Sequence, residues 1–229
     1  MKIVEPTTLV IDWLLAAYTA WLAWALFQQV YRTKDRAMGL WLRAFCAIAV
    51  SAFAGGVWHG FSARMDPGVA ALVWASAMLL AISGSLLFLL AILHVYASGR
   101  TLGILSGIAV AKFALFVVWL AVNDNFSVVV YDTALTMFVI VVLSTWGAWA
   151  RELPAAPWIL AGVLISMLAA LFQQGRVSIH PRFNHNDLYH VIQMGAMYLL
   201  FRGGVLLREQ ESSATDLEAT QPLPVVREE

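Results

Sequence analysis

Asn184-His185-Asn186-Asp187-Leu188-Tyr189-His190 sets two imidazoles beside a carboxylate within seven residues. The chain has five histidines, His59, His94, His180, His185 and His190, and three of them fall between 180 and 190. Imidazole is the commonest neutral metal ligand, and a catalytic zinc usually has three protein ligands and one open water position. Water on such a metal becomes hydroxide near neutral pH and can attack a carbonyl. On a helix, Asn186 and Asp187 lie four and three residues before His190, so all three share a face. His185 is five residues before His190, about 140° away round a helix, and joins the same site only from a loop or a distorted first turn. The remaining candidate ligand is His59, within Gly55-Gly56-Val57-Trp58-His59-Gly60, where Gly56 and Gly60 permit close approach of another helix.

Each of these residues also has a plainer role open to it. His59 suits an interfacial histidine bonded to a loop carbonyl. The stretch 184–190 suits a polar helix start capped by Asn184 and Asp187, and Asp66 suits the cap of the helix that follows it at Pro67. His180, followed by Pro181, reads as a loop residue, and His94 as an edge residue at the other end of its helix.

The elements that must position these groups are membrane helices. The 229 residues are 61% hydrophobic and 12% charged, about half the charge of an average soluble domain. Apolar runs long enough to span a bilayer recur along the chain without the alternation of a barrel. The net charge is zero, and no basic field points to nucleic acid. The single cysteine, Cys46, excludes a disulfide framework within one chain and reads as a buried small apolar side chain. The first apolar stretch, from Leu9 to Phe27, is too long for a signal-peptide core and reads as the first span.

The chain reads as an all-α integral membrane protein. Seven spans are predicted near 7–30, 38–62, 68–96, 101–121, 127–149, 155–174 and 187–207. They form one membrane domain over 1–208, followed by an acidic tail over 209–229 with the composition of a disordered segment. Arg32, Lys34, Arg36, Arg43, Arg100, Arg151, Arg202 and Arg208 fall on one side, against Lys2, Arg64, Arg176 and Arg182 on the other. This bias places the N-terminus outside and the C-terminus in the cytoplasm of a seven-transmembrane helix bundle. Trp13, Trp58, Trp74 and Trp119 then mark outer span ends, and Trp41, Trp146 and Trp158 inner ones. His59, His180, His185 and His190 collect at the outer face. Lys112, Asp132 and Asp12 lie within spans and need partners; a Lys112–Asp132 pair is one reading and an ion or proton path is another. Ser83 and Ser85 read as hydrogen-bonding groups between helices.

A histidine late in the second of seven spans and a histidine motif opening the seventh resemble the CREST superfamily, which includes alkaline ceramidases and the adiponectin and progestin receptor family. The resemblance implies a zinc-dependent membrane hydrolase acting on lipid amides or related bonds. His59 matches the histidine of the second span, and His190 the second histidine of the H-x-x-x-H pair, whose first position falls on Asn186. The position of the family serine is Gly55. On this likeness Zn²⁺ is held by His59, His190 and either His185 or Asp187. Asp66 or Asp187 then acts as general base, and Asn186 orients the ligand or polarises its carbonyl. The substrate is a membrane lipid amide or ester. Two other readings stand beside it: a non-enzymatic receptor-like or structural bundle, and an ion or proton transporter using Asp12, Lys112 and Asp132. Short loops, few cysteines and many tryptophans suit a bacterial inner membrane.

Overall fold

The computed structural model describes residues 3–180 and 183–207; the expected tail over 209–229 lies outside them. Seven α-helices follow one another: α1 (Pro6–Thr33), α2 (Arg36–Phe61), α3 (Pro67–Tyr96), α4 (Gly99–Val122), α5 (Ser127–Ala150), α6 (Ala156–Gln174) and α7 (His185–Leu206). They match the predicted spans to within a few residues at each end. Local chemistry sets several boundaries. Pro6 and Pro67 sit in the first turns of α1 and α3, where a missing N–H leaves no helical bond unmade. Asp35 and Asp66 cap α2 and α3 by accepting backbone N–H bonds. Asn184 and Asp187 form a reciprocal capping box at the start of α7.

α1 to α6 are long and apolar enough to cross a membrane. α7 is 22 residues long but is not among them. Its histidines, amides and Arg202 lower its hydropathy. The chain is therefore an all-helical protein with the character of a multi-pass membrane protein.

α1, α2, α3, α5, α6 and α7 pack in that order into a closed ring, α7 returning to α1. α4 stands outside the ring, against α3 and more lightly α5. Small residues let the ring close tightly. A Cβ at Gly56 would lie 2.7 Å from Trp13 Cδ1, and one at Gly60 2.9 Å from Leu9 Cδ2. The helix admitted by these two glycines is α1. At the other end of the ring, a side chain at Gly204 would collide with the Trp41 indole, and one at Gly203 with Ile159.

Trp41 is fully buried rather than interfacial. Its indole N–H donates to the Leu200 carbonyl of α7 at 3.0 Å, and its ring meets Phe88 edge-on. The expectation that Cys46 is buried is also corrected. Cys46 lies on the exposed side of α2, because the inward positions beside it are taken by Phe45 and Ala49. In a membrane protein such an outward face meets lipid, where a small weakly polar thiol costs little.

Candidate functional site: a polar cavity inside the helix ring

The ring encloses a cavity of about 500 Å³ to which every one of its six helices contributes and α4 does not. Three of the singled-out histidines line it: His59 from the end of α2, and His185 and His190 from the first turns of α7. The wall changes character with depth. Asn125, Gln174, Arg176 and His185 surround the mouth; Trp41, Phe88, Ile140 and Leu200 form the far end. Between them lie Asp12, Ser51, Ser166, Tyr189, His190 and Gln193.

The central polar contact joins α1 to α7. Nδ1 of His190 lies 2.8 Å from Oδ1 of Asp12. Both atoms are buried, and the contact is close without being aligned as a hydrogen bond. The Asp12 carboxylate also faces α2, since a Cβ at Gly55 would lie 3.6 Å from its Oδ2. A Cβ at Gly55 would make only an ordinary contact with this carboxylate. His190 and Asp12 thus form a buried histidine–carboxylate contact between α1 and α7.

His59, one helical turn above Gly55, has a different carboxylate. Its Nδ1 lies 3.0 Å from Glu5 Oε2, just before α1. Its ring meets Trp58 and Trp74 edge-on, with centroids at 5.2 and 6.3 Å. Trp74 in turn donates its N–H to the Asp124 carbonyl at 3.0 Å and lies beside Phe126. An aromatic collar therefore fixes His59 at the cavity mouth and ties the α4–α5 connection to it.

The other expected site residues are distributed as follows. Asn186 lines the cavity and accepts a hydrogen bond from the Gln173 side chain at 3.1 Å. Asp187 is buried, but its Oδ2 turns back to accept the Asn184 N–H at 2.8 Å. Asp66 is an exposed helix cap, accepting from Gly68 N–H at 2.9 Å, and is not part of the cavity wall. His180 is exposed and bridges to Phe183. His94, at the opposite end of α3, has Nδ1 2.9 Å from the Leu90 carbonyl.

His59, His190 and Asp187, three of the donors expected for zinc, thus face separate partners. Among the described residues no group of three His, Cys, Asp or Glu side chains is gathered so as to hold a metal ion. As placed, His59, His185, His190 and Asp187 do not form a three-donor centre. Asp12 and Glu5 enter instead as the carboxylates beside the two helix histidines.

A second polar unit crosses the ring wall. Lys112 reaches inward from α4; its ammonium donates to Asp132 Oδ1 at 2.6 Å and to Thr136 Oγ1 at 2.8 Å. Ser85 of α3 donates to the same Thr136 oxygen at 2.7 Å. Ser85 and Thr136 line the cavity. The expected Lys112–Asp132 pair is therefore present, and Ser85 bridges helices as expected. Ser83 bonds only within its own helix, to Leu79.

Residues 7–209 match a family of unknown function (DUF6962). The chain belongs to that family. The match covers all seven helices of this DUF6962 protein, so the ring and its cavity lie within the family region. No curated protein and no solved structure matches the chain.

Proposed function

We propose that this is a seven-span membrane protein whose ring cavity receives an amphipathic small molecule from the non-cytoplasmic face. α7 serves as the seventh span: its lipid-facing side is apolar and its polar stripe faces the cavity. The basic loops then lie in the cytoplasm, with the N-terminus outside and the C-terminus inside. The observation that carries the binding reading is the graded wall, with amides, Arg176 and His185 at the mouth, the Asp12–His190 pair in the middle and aromatic and aliphatic side chains beyond. A cavity with few polar groups set in an apolar wall is the usual form of a small-ligand site. A polar head at the Asp12–His190 level with an apolar body toward Trp41 and Phe88 satisfies both parts.

The test is a panel of lipid amides, lipid esters and free amphipaths assayed for stabilisation of the detergent-purified protein. Ala52→Trp, which fills the cavity from α2, abolishes the shift given by a true ligand. Persistence of every shift in that folded variant rejects the cavity as the site. Topology is read separately from cysteine labelling of Lys34→Cys and Asn125→Cys in a Cys46→Ser background, which this reading places on opposite membrane faces.

The Asp12–His190 pair favours a second reading, hydrolysis of a lipid amide or ester. His190, oriented by Asp12, takes a proton from water as that water attacks the carbonyl, and returns it to the leaving group. Asn186 and Tyr189, on the same wall, are the nearby donors for the carbonyl oxygen. The likeness to the CREST superfamily supports this at the level of architecture: seven spans with histidines of the second and seventh brought to one cavity. Product formation lost in both Asp12→Asn and His190→Gln, with ligand stabilisation retained, supports hydrolysis. Binding without any product supports the receptor-like reading.

A further inference from the structure

α1 and α7 meet through Asp12–His190 in their first halves and pack through Leu22, Leu26, Met197 and Leu200 in their second, leaving a groove on the outer side of the seam. This groove is walled by Trp21 and Trp24 on one side and Tyr198 and Phe201 on the other. Gln28 and Arg202 close its far end. The α1 wall from Trp21 to Gln29 rises about 12 Å at 1.5 Å per residue. These aromatics face outward: Trp21 and Trp24 are each 60% exposed. The groove is separate from the ring cavity and shares no lining residue with it.

Its polar end is cationic. The Arg202 guanidinium lies over the Trp158 ring at 4.8 Å, a cation–π contact that holds it in place. Among the described residues no carboxylate forms an ion pair with it. One helical turn beyond Gln28, the exposed Arg32 adds a second positive charge at the same end of α1.

We propose that this groove binds one anionic phospholipid of the leaflet on the Arg32–Arg202 face. The guanidinium of Arg202 takes the phosphate through paired N–H donors, the geometry in which arginine is favoured over lysine. Gln28 supplies a further amide donor, and the acyl chain lies along the aromatic walls toward Trp21. A guanidinium without a carboxylate partner among the described residues, set in a groove with aromatic walls, is complementary to a phosphate-headed lipid and to nothing wholly apolar.

The test is native mass spectrometry of the full chain released from nanodiscs holding equal amounts of phosphatidylglycerol and phosphatidylcholine. Wild type retains phosphatidylglycerol over phosphatidylcholine by about fivefold, the preference one basic side chain at an anionic surface confers. Arg202→Gln lowers that ratio to near one, and Arg202→Lys restores part of it. Ala25→Phe, which narrows the groove without changing charge, lowers retention of both lipids. Arg151→Gln removes a cation held in the same way over Trp146 and Tyr96 but outside the groove, and leaves the ratio unchanged. Equal retention of the two lipids by wild type, or an unchanged ratio in folded Arg202→Gln, overturns the proposal. An equal fall in Arg151→Gln also overturns it, since the preference then belongs to the whole basic face.

Discussion

Replacing Asp12 by alanine tests whether the α1–α7 contact holds the ring closed. At the 2.8 Å separation of Asp12 and His190, two full charges attract by about 6 kcal/mol at an effective dielectric near 20. Desolvation of both groups offsets most of that. The usual loss on removing one member of a buried pair is about 3–5 kcal/mol. With a neutral imidazole the contact is weaker than an aligned hydrogen bond to one charged group, which is worth about 1.5–3 kcal/mol. The off-axis geometry favours the lower range. Asp12→Ala is therefore expected to destabilise the protein by about 2 kcal/mol. The informative quantity is the coupling in a cycle with His190→Ala, expected at about 1–2 kcal/mol. Unfolding in mixed micelles of sodium dodecyl sulfate and a mild detergent, followed by tryptophan fluorescence and circular dichroism, gives all four stabilities. Single losses that add to within about 0.5 kcal/mol would show that the two residues act independently. The reasoning about the ring, and both functional readings built on the pair, would then fail.

Lys112→Met leaves the Asp132 carboxylate fully buried without its cation, so a loss of about 3–5 kcal/mol is expected. The double change Lys112→Met, Asp132→Leu should recover most of it, and a double variant no more stable than the single one refutes the pairing account. Gly56→Leu forces Trp13 aside and should cost about 1–3 kcal/mol. Gly103→Leu, where an added Cβ meets nothing within 4 Å, should cost nothing and gain up to about 0.8 kcal/mol of helix propensity; melting temperatures of the two variants decide it. Trp41→Phe keeps most of the packing but loses the bond to the Leu200 carbonyl. It should cost about 1 kcal/mol, read as a shift in the micelle unfolding midpoint.

The helices were legible because their apolar runs exceed a bilayer thickness and their starts carry proline, aspartate or asparagine. The Lys112–Asp132 pair was legible for a related reason: two opposite charges deep in spans must find each other. The arrangement of helices was not. In lipid, outward side chains are as apolar as inward ones, so nothing in the α4 sequence marks it as the helix left outside the ring. Cys46 and Trp41 were misplaced on the same account, because apolar residues give no direction to a membrane helix. The partner of His190 was missed, although the signal was present. Asp12 lies six residues into α1 and His190 five residues into α7, depths of about 9 and 7.5 Å. Two helices predicted to run the same way through the membrane bring those residues level. Ligand spacing within 184–190 relates only near neighbours, and this carboxylate lies 178 positions earlier in the chain. Glu5, beside His59, carries no such depth signal, because it precedes the first helix.

The level pairing gives the cavity a property that a simple pocket lacks. Asp12 and His190 close the ring and also form the middle of the wall, so a ligand that engages Oδ1 of Asp12 competes with His190. Ligand binding in wild type therefore trades against the α1–α7 contact. In His190→Ala that contact is already gone, and the truncated side chain leaves space beside a buried carboxylate. Free imidazole entering through the mouth can occupy this space and restore the lost group. At ten times its dissociation constant it should return about 1.4 kcal/mol of stability. The rise in melting temperature should appear in His190→Ala, be absent from wild type, and disappear in the Asp12→Ala, His190→Ala double variant. An equal shift in all three would mean that imidazole acts elsewhere. No shift in the folded single variant at saturating imidazole would mean that the mouth does not communicate with Asp12, and the cavity would lose its claim to admit a ligand at all.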